Sequence, residues 1–244
     1  MDRGYYRYPT IAGDTIVFVC EDDLWRVPAA GGAASRLTVS FGTCTFPRLS
    51  PDGSRIAFVS TDDGNPEIYV MPATGGQPRR LTFLGATQAA VSGWSADGSE
   101  IVFVANPVAW YEGEMRPFAV AADGSGPPRE IPLGHARCVA HGGGGRVAIG
   151  RNTADPARWK RYRGGTAGEI WVHADGQGRF ERLKLPDGNP CWPMWIGDRI
   201  FFLSDHEGIA NIYSCQPDGS GVTRHTQENE YYARFPSSDG AQIV

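Results

Sequence analysis

FPRLSPDGSRIAFVSTDDGNPEIYVMPATGGQPRRLT, residues 46 to 82, is the stretch that decides the fold. It opens with the turn Ser50-Pro51-Asp52-Gly53 and runs into Ile56-Ala57-Phe58-Val59. It breaks at Asp62-Asp63-Gly64-Asn65, resumes as Glu67-Ile68-Tyr69-Val70-Met71, and closes through Gly75-Gly76 to Arg79-Arg80-Leu81-Thr82. Apolar runs this short, bounded by Gly, Pro, Asp and Asn, read as antiparallel strands joined by hairpin turns. Proline presets φ early in a turn and glycine accepts a positive φ late in it. The unit is one four-stranded sheet.

The unit recurs. Its turn glycine has counterparts at Gly13, Gly98, Gly145, Gly197 and Gly240, spaced by 40, 45, 47, 52 and 43 residues, the period of propeller blades. An aromatic residue keeps a second register in the third strand of each copy: Trp25, Tyr69, Phe118, Trp171 and Tyr213. Runs such as Ile16-Val17-Phe18-Val19, Ile101-Val102-Phe103-Val104 and Ile200-Phe201-Phe202-Leu203 are apolar without alternation, so cover is expected on both faces. The expectation is an all-β, six-bladed β-propeller of four-stranded antiparallel blades, forming one domain over residues 1–244. The blades fall at about 8–38, 44–82, 90–132, 137–185 and 191–226, with 231–244 an incomplete sixth. On this reading the chain is a fragment of a longer one.

Gly 32 and Pro 18 make up about 20% of 244 residues, and in a periodic chain that excess belongs to turns rather than to disorder. A net charge of −4 gives no reason to expect nucleic acid or an anionic membrane as partner. Five cysteines, odd in number and without a CxxC pair, argue against a disulfide framework or a zinc site and favour a cytoplasmic setting. No signal-peptide core and no membrane-length apolar run is present.

In an up-and-down blade, the joints between strands two and three share a rim with the crossings to the next blade. Two such joints are long: Asn106 to Met115, and Arg151 to Gly168. Long loops on a rigid scaffold are where binding resides. The second loop contains Arg151-Asn152 and Arg158-Trp159-Lys160-Arg161-Tyr162-Arg163, a local charge of +4 between Arg151 and Arg163. Those eight residues are the candidate contact for a peptide carboxylate or a neighbouring acidic domain, because guanidinium forks match carboxylates. A solvated loop without specific contacts is the competing reading, and the exposure of Trp159 and Tyr162 that it demands counts against it. No catalytic, metal or cofactor site is expected: G-x-S-x-G, H-E-x-x-H and phosphate-loop motifs are absent, and Asp62-Asp63-Gly64 lacks the spaced ligands of a calcium loop. The five histidines read as hydrogen-bonding residues.

Gly13-Asp14, Asp22-Asp23-Leu24-Trp25, Gly150-Arg151-Asn152-Thr153, Trp159-Lys160, Tyr162-Arg163-Gly164-Gly165-Thr166 and Ile170-Trp171 together resemble the first and fourth blades of the tricorn protease family. The resemblance continues through Ile212-Tyr213-Ser214 and Tyr231-Tyr232 to Asp239-Gly240. It implies the non-catalytic propeller at the front of a cytosolic serine protease that shortens oligopeptides downstream of the proteasome. Downstream domains of the same polypeptide would be its partners, and the whole would be a homo-hexamer. The family's carboxylate clamp, an arginine pair before the third blade, has no counterpart in Phe83-Leu84-Gly85-Ala86-Thr87-Gln88-Ala89. A TolB-like binding propeller and the lid of a prolyl-oligopeptidase-like hydrolase remain as alternatives.

Overall fold

The structure is a computed structural model, and it describes residues 5–107, 113–175 and 179–244. The middle of the first long joint, 108–112, and the first four residues lie outside that description. The chain divides into two compact units, Met1–Gly134 with Ser237–Val244, and His135–Pro236.

The first unit holds three sheets. They are β1 (Arg7–Ala12), β2 (Thr15–Cys20), β3 (Asp23–Pro28) and β4 (Ser35–Arg36); β5 (Cys44–Leu49), β6 (Arg55–Ser60), β7 (Glu67–Pro72) and β8 (Arg79–Arg80); and β9 (Ala89–Trp94), β10 (Glu100–Ala105), β11 (Arg116–Ala121) and β12 (Arg129–Glu130). The second unit holds β13 (Cys138–His141), β14 (Val147–Arg151), β15 (Glu169–His173) and β16 (Glu181–Arg182), then β17 (Cys191–Ile196), β18 (Arg199–Ser204), β19 (Asn211–Cys215) and β20 (Thr223–Arg224). Every sheet is a sequential meander, and every pair within it is antiparallel.

The turn residues explain why the chain reverses where it does. Ser50 Oγ and the Ser54 backbone N–H both donate to Asp52 Oδ1, at 2.5 and 3.1 Å, while Gly53 takes a φ of +69°. Blade three repeats the device at Ser95 and Ser99, whose hydrogen bonds hold the Asp97 carboxyl down at about 2. The aromatic register also has a physical role. Phe58 stacks on Tyr69 at 5.8 Å, Phe103 on Phe118 at 5.6 Å and Phe202 on Tyr213 at 6.1 Å, each across neighbouring strands.

The core lies between blades. Ala57, Val59 and Ile68 of blade two meet Val91, Ile101 and Phe103 of blade three, and Val17, Val19 and Leu24 of blade one meet Ile56 and Phe58. In the second unit Ala148 and Ile170 meet Ile200, Phe202 and Tyr213. Cover on both faces holds along β6 and β10 but not along β2, where Val17 and Val19 are buried and Ile16 and Phe18 half-buried. A clasp recurs in three blades. The acid or amide that opens strand three accepts from a threonine just beyond strand four: Thr38 to Asp23 at 2.6 Å, Thr82 to Glu67 at 2.5 Å and Thr226 to Asn211 at 2.7 Å.

The expected incomplete sixth blade is not formed, and the described residues make a propeller of five four-stranded blades. Residues 231–236 form no strand, and beyond them only one isolated bridge occurs, Ser238 with Ile243. The Asp239 side chain accepts from the backbone N–H groups of Ala241, Gln242 and Gly13 at 3.0, 2.9 and 3.1 Å. Ser237 and Val244 exchange both backbone hydrogen bonds at 3.0 and 2.9 Å across this turn, so pairing is confined to that rung and the neighbouring bridge.

Four aromatic-proline pairs share one strained geometry. Tyr8, Phe46, Trp192 and Phe235, each preceding a proline, have φ of +50°, +48°, +51° and +51°. Positive φ is rare for such residues, and at the first three a β-bulge breaks the first strand's register.

Candidate functional site

In the second unit, the joint between β14 and β15 folds against the loops that precede β17 and follow β18. Asp205, fully buried at the end of β18, is the centre of this arrangement. It accepts from the Asn189 backbone N–H at 2.9 Å, Asn189 Nδ2 at 3.1 Å and the Arg161 backbone N–H at 2.8 Å. The Arg163 guanidinium stands 3.4 Å away. Asn189, itself buried, donates to the Tyr162 carbonyl at 2.9 Å and accepts from the Gly168 N–H and Thr153 Oγ1, both at 3.3 Å. One carboxylate and one amide thus satisfy a tip and both stems of the loop.

Two further ties fix the first stem. Trp192 Nε1 donates to the Ala154 carbonyl at 2.7 Å, and Arg234 pairs with Asp155 at 2.5 Å. Gly168 is required by close approach, since a Cβ there would strike the Pro190 carbonyl oxygen and come within 3.0 Å of the Asn189 carbonyl carbon.

The eight sequence-predicted residues separate into groups. Arg151 ends β14 with its guanidinium 4.9 Å over the Trp171 ring. Its Nε is buried without a hydrogen-bond partner. Glu169, opposite it in register, is engaged instead by Trp171 Nε1 at 2.9 Å and Arg182 at 3.2 Å. Asn152, at φ +67°, spans the loop's base with a 2.9 Å bond to the Ala167 carbonyl. Arg163 is held by Asp205 and the Tyr162 carbonyl.

Arg158, Lys160 and Arg161 are exposed at the tip and have no acidic partner among the described residues. Lys160 lies 5.3 Å over Tyr232. Trp159 is 61% exposed, contrary to the argument that it would avoid solvent; it packs one side on Tyr162 at 5.4 Å and leaves the rest open. The tip is a basic and aromatic surface on a pinned backbone. Sequence reading missed Asp205 and Asn189. Both stand at rim joints, and Asp205 follows its second strand as Thr61 follows β6, but a partner 44 residues away leaves no local spacing to read.

Two serine–histidine contacts occur, Ser204 Oγ to His206 Nδ1 at 3.0 Å and Ser214 Oγ to His225 Nε2 at 2.8 Å. Both serines are buried, and Ser214 Oγ also accepts from Arg199 Nε at 3.0 Å. Among the described residues no carboxylate hydrogen-bonds either imidazole, so neither has the orienting group of a catalytic triad. The described residues contain no cluster of three or more His, Cys, Asp or Glu able to hold a metal, and no helix long and apolar enough to cross a membrane.

Residues 3–244 match the family described as the tricorn protease N-terminal beta propeller domain. The chain belongs to that family. Tricorn protease homolog 1 of Streptomyces coelicolor is 41% identical over 98% of this chain and 22% of its own length. The crystal structure of the tricorn protease superposes with a TM-score of 0.86 at 29% identity, over 98% of this chain and 24% of that one. The chain therefore spans about a fifth of the length of the curated tricorn relatives it matches. In Sulfurisphaera tokodaii, a tricorn-like protease N-terminal subunit matches 71% of this chain at 30% identity over 88% of its own length. A C-terminal subunit from the same organism matches 65 residues, 27% of this chain, at 52% identity over 8% of its own length.

Proposed function

We propose that this tricorn-family propeller is the non-catalytic, peptide-handling part of a serine protease acting on oligopeptides, and that the tip of the β14–β15 loop is its contact for peptide carboxylates. The observation that carries this reading is the set of three exposed cations, Arg158, Lys160 and Arg161, without acidic partners among the described residues, on a tip held by Asp205. Pre-ordering a loop lowers the entropic cost of binding, and charge-assisted bonds to carboxylate are the strong kind. Arg151, half-buried over Trp171 with an unpaired Nε, adds a fourth cation at the loop's base. Association with protease domains is supported by the family and by the paired subunits of the Sulfurisphaera relative. A homo-hexamer and a cytoplasmic setting complete the proposal, the latter supported by five free cysteines.

The test is the ratio of kcat/KM for peptides with a free C-terminal carboxylate to that for their amides, in the full-length protein. Combined Arg158→Gln, Lys160→Gln and Arg161→Gln should lower that ratio about three- to tenfold, since exposed pairs contribute little each. An unchanged ratio refutes the assignment.

A further inference from the structure

The first unit carries an exposed apolar rim that nothing above uses. Phe41, in the crossing from β4 to β5, is fully exposed at 103%, and its neighbour Val39 is 82% exposed. Phe83, in the next crossing, from β8 to β9, is 78% exposed. Both crossings lie on the same rim by the strand order of their blades.

These side chains are displayed by a fixed backbone. The Ser40 N–H donates to Asp23 Oδ1 at 2.9 Å, the Gly42 N–H to Asp62 Oδ1 at 2.8 Å and the Thr43 N–H to Thr61 Oγ1 at 2.9 Å. Thr61 fills the space a Cβ on Gly42 would occupy, with its Oγ1 at 2.5 Å from that point, so the strand-side of the loop is closed and Phe41 faces outward. Phe83 has one face covered by the Arg80 guanidinium at 4.2 Å. Arg80 is in turn held by Glu67 at 3.2 Å, Asp63 at 3.3 Å and the Thr82 carbonyl at 2.7 Å. Rigidly presented aromatic anchors bind at low ordering cost, and neighbouring exposed apolar side chains mark interaction surfaces.

The charges beside them choose the partner. Asp22 and Asp63 are engaged by Arg7 and Arg80, but Glu21 and Asp62, in the rim turns of blades one and two, have no cationic partner among the described residues. An apolar rim bordered by carboxylates whose charge no described cation neutralises repels an acidic surface and favours a basic one.

We infer that Val39, Phe41 and Phe83 form the seat for the protease portion of the assembly, which meets it with apolar side chains flanked by lysine or arginine. This rests on the reading under Proposed function. The Sulfurisphaera relative adds support, because its N-terminal subunit, matched over 88% of its length, is a chain separate from the C-terminal one. A propeller region not wholly continuous with its protease needs an adhesive surface.

The test places a photoactivatable benzoylphenylalanine at position 41, at position 83 or, on the opposite rim, at Ser125 in the full-length protein. Crosslinked peptides are then mapped by mass spectrometry. Positions 41 and 83 should crosslink to peptides outside residues 1–244 that contain Lys or Arg beside apolar residues, at least fivefold above position 125. Glu21→Lys, which removes no hydrogen bond of the loop, should reduce the yield at least threefold. Because Phe41 is fully exposed, its replacement leaves the core intact. No crosslink from either position, crosslinks confined to residues 1–244, or a yield equal to that at 125 overturns the inference. Peptidase activity of the same preparation separates the two claims. Active enzyme without crosslinks refutes only this surface, and crosslinks in a protein without peptidase activity refute only the protease reading.

Discussion

Replacing Asp205 with alanine should release the β14–β15 loop while leaving the blades standing. Three donors lose their acceptor: the Asn189 N–H, Asn189 Nδ2 and the Arg161 N–H. Arg161 sits at an exposed tip, so its N–H regains water as the loop lifts. Asn189 is 2% exposed, and its two donors cannot be hydrated in place. An unsatisfied buried donor costs about 1–3 kcal/mol. The ion pair to Arg163 adds little, because that arginine is 40% exposed and 3.4 Å away. Together the two donors come to about 2–6 kcal/mol, taken mainly from local opening of residues 152–168. The assay is trypsin, whose sites Arg158, Lys160, Arg161 and Arg163 all lie in this loop. Where reclosure outpaces cutting, the rate follows the open population and should rise by about 30-fold or more. A tryptic rate within twofold of the parent protein would refute the claim that Asp205 pins the loop.

Gly168→Ala should destabilise the same loop by about 1–3 kcal/mol, measured by urea denaturation, because the added carbon meets backbone of Pro190 and Asn189 rather than a yielding side chain. Arg55→Ala removes a 2.7 Å bond to the Gly98 carbonyl and a 4.9 Å stack on Trp94, which link blades two and three. It should cost about 1–2 kcal/mol and lower the thermal midpoint. His206 gives a pH signature. Burial depresses its pKa against the raising effects of Glu207 and Asp205, with Arg163 and Arg224 lowering it further. A base whose pKa is lower folded than unfolded binds more protons when unfolded, so stability should be full above about pH 6.5 and fall as the pH drops through the unfolded value. His206→Gln should flatten that decline in a thermal-midpoint series from pH 7.5 to 5.5, and an unaltered slope would count against it.

The blades were legible because their signals are local. The turn glycines Gly13, Gly53, Gly98, Gly145, Gly197 and Gly240 all adopt positive φ, and the aromatic markers all fall within third strands, Trp25 in β3 through Tyr213 in β19. At Asp239-Gly240 the turn forms, with Ser237 and Val244 paired across it, but residues 231–236 make no strand, so the turn signal there marks a hairpin start and not a blade. The aromatic-proline pairs at Tyr8, Phe46, Trp192 and Phe235 were readable as a third register. Their positive φ was not, because the residue before a proline ordinarily sits in extended backbone. At the candidate site the basic loop was visible in composition, while the buried pair that shapes it, Asp205 and Asn189, was not. The hydrogen bond that Asp205 accepts from the Arg161 N–H and the one that Asn189 donates to the Tyr162 carbonyl cross 44 and 27 residues, and only the folded rim brings them together.

The most direct measurement is an NMR titration of the isotopically labelled protein with a short peptide bearing a free C-terminal carboxylate, alongside its amide. The account predicts saturable shifts in the backbone signals of residues 158–163 and the indole signal of Trp159 with the free acid, at least threefold weaker with the amide. Shifts of equal size for acid and amide, or shifts that leave residues 158–163 untouched, would contradict it.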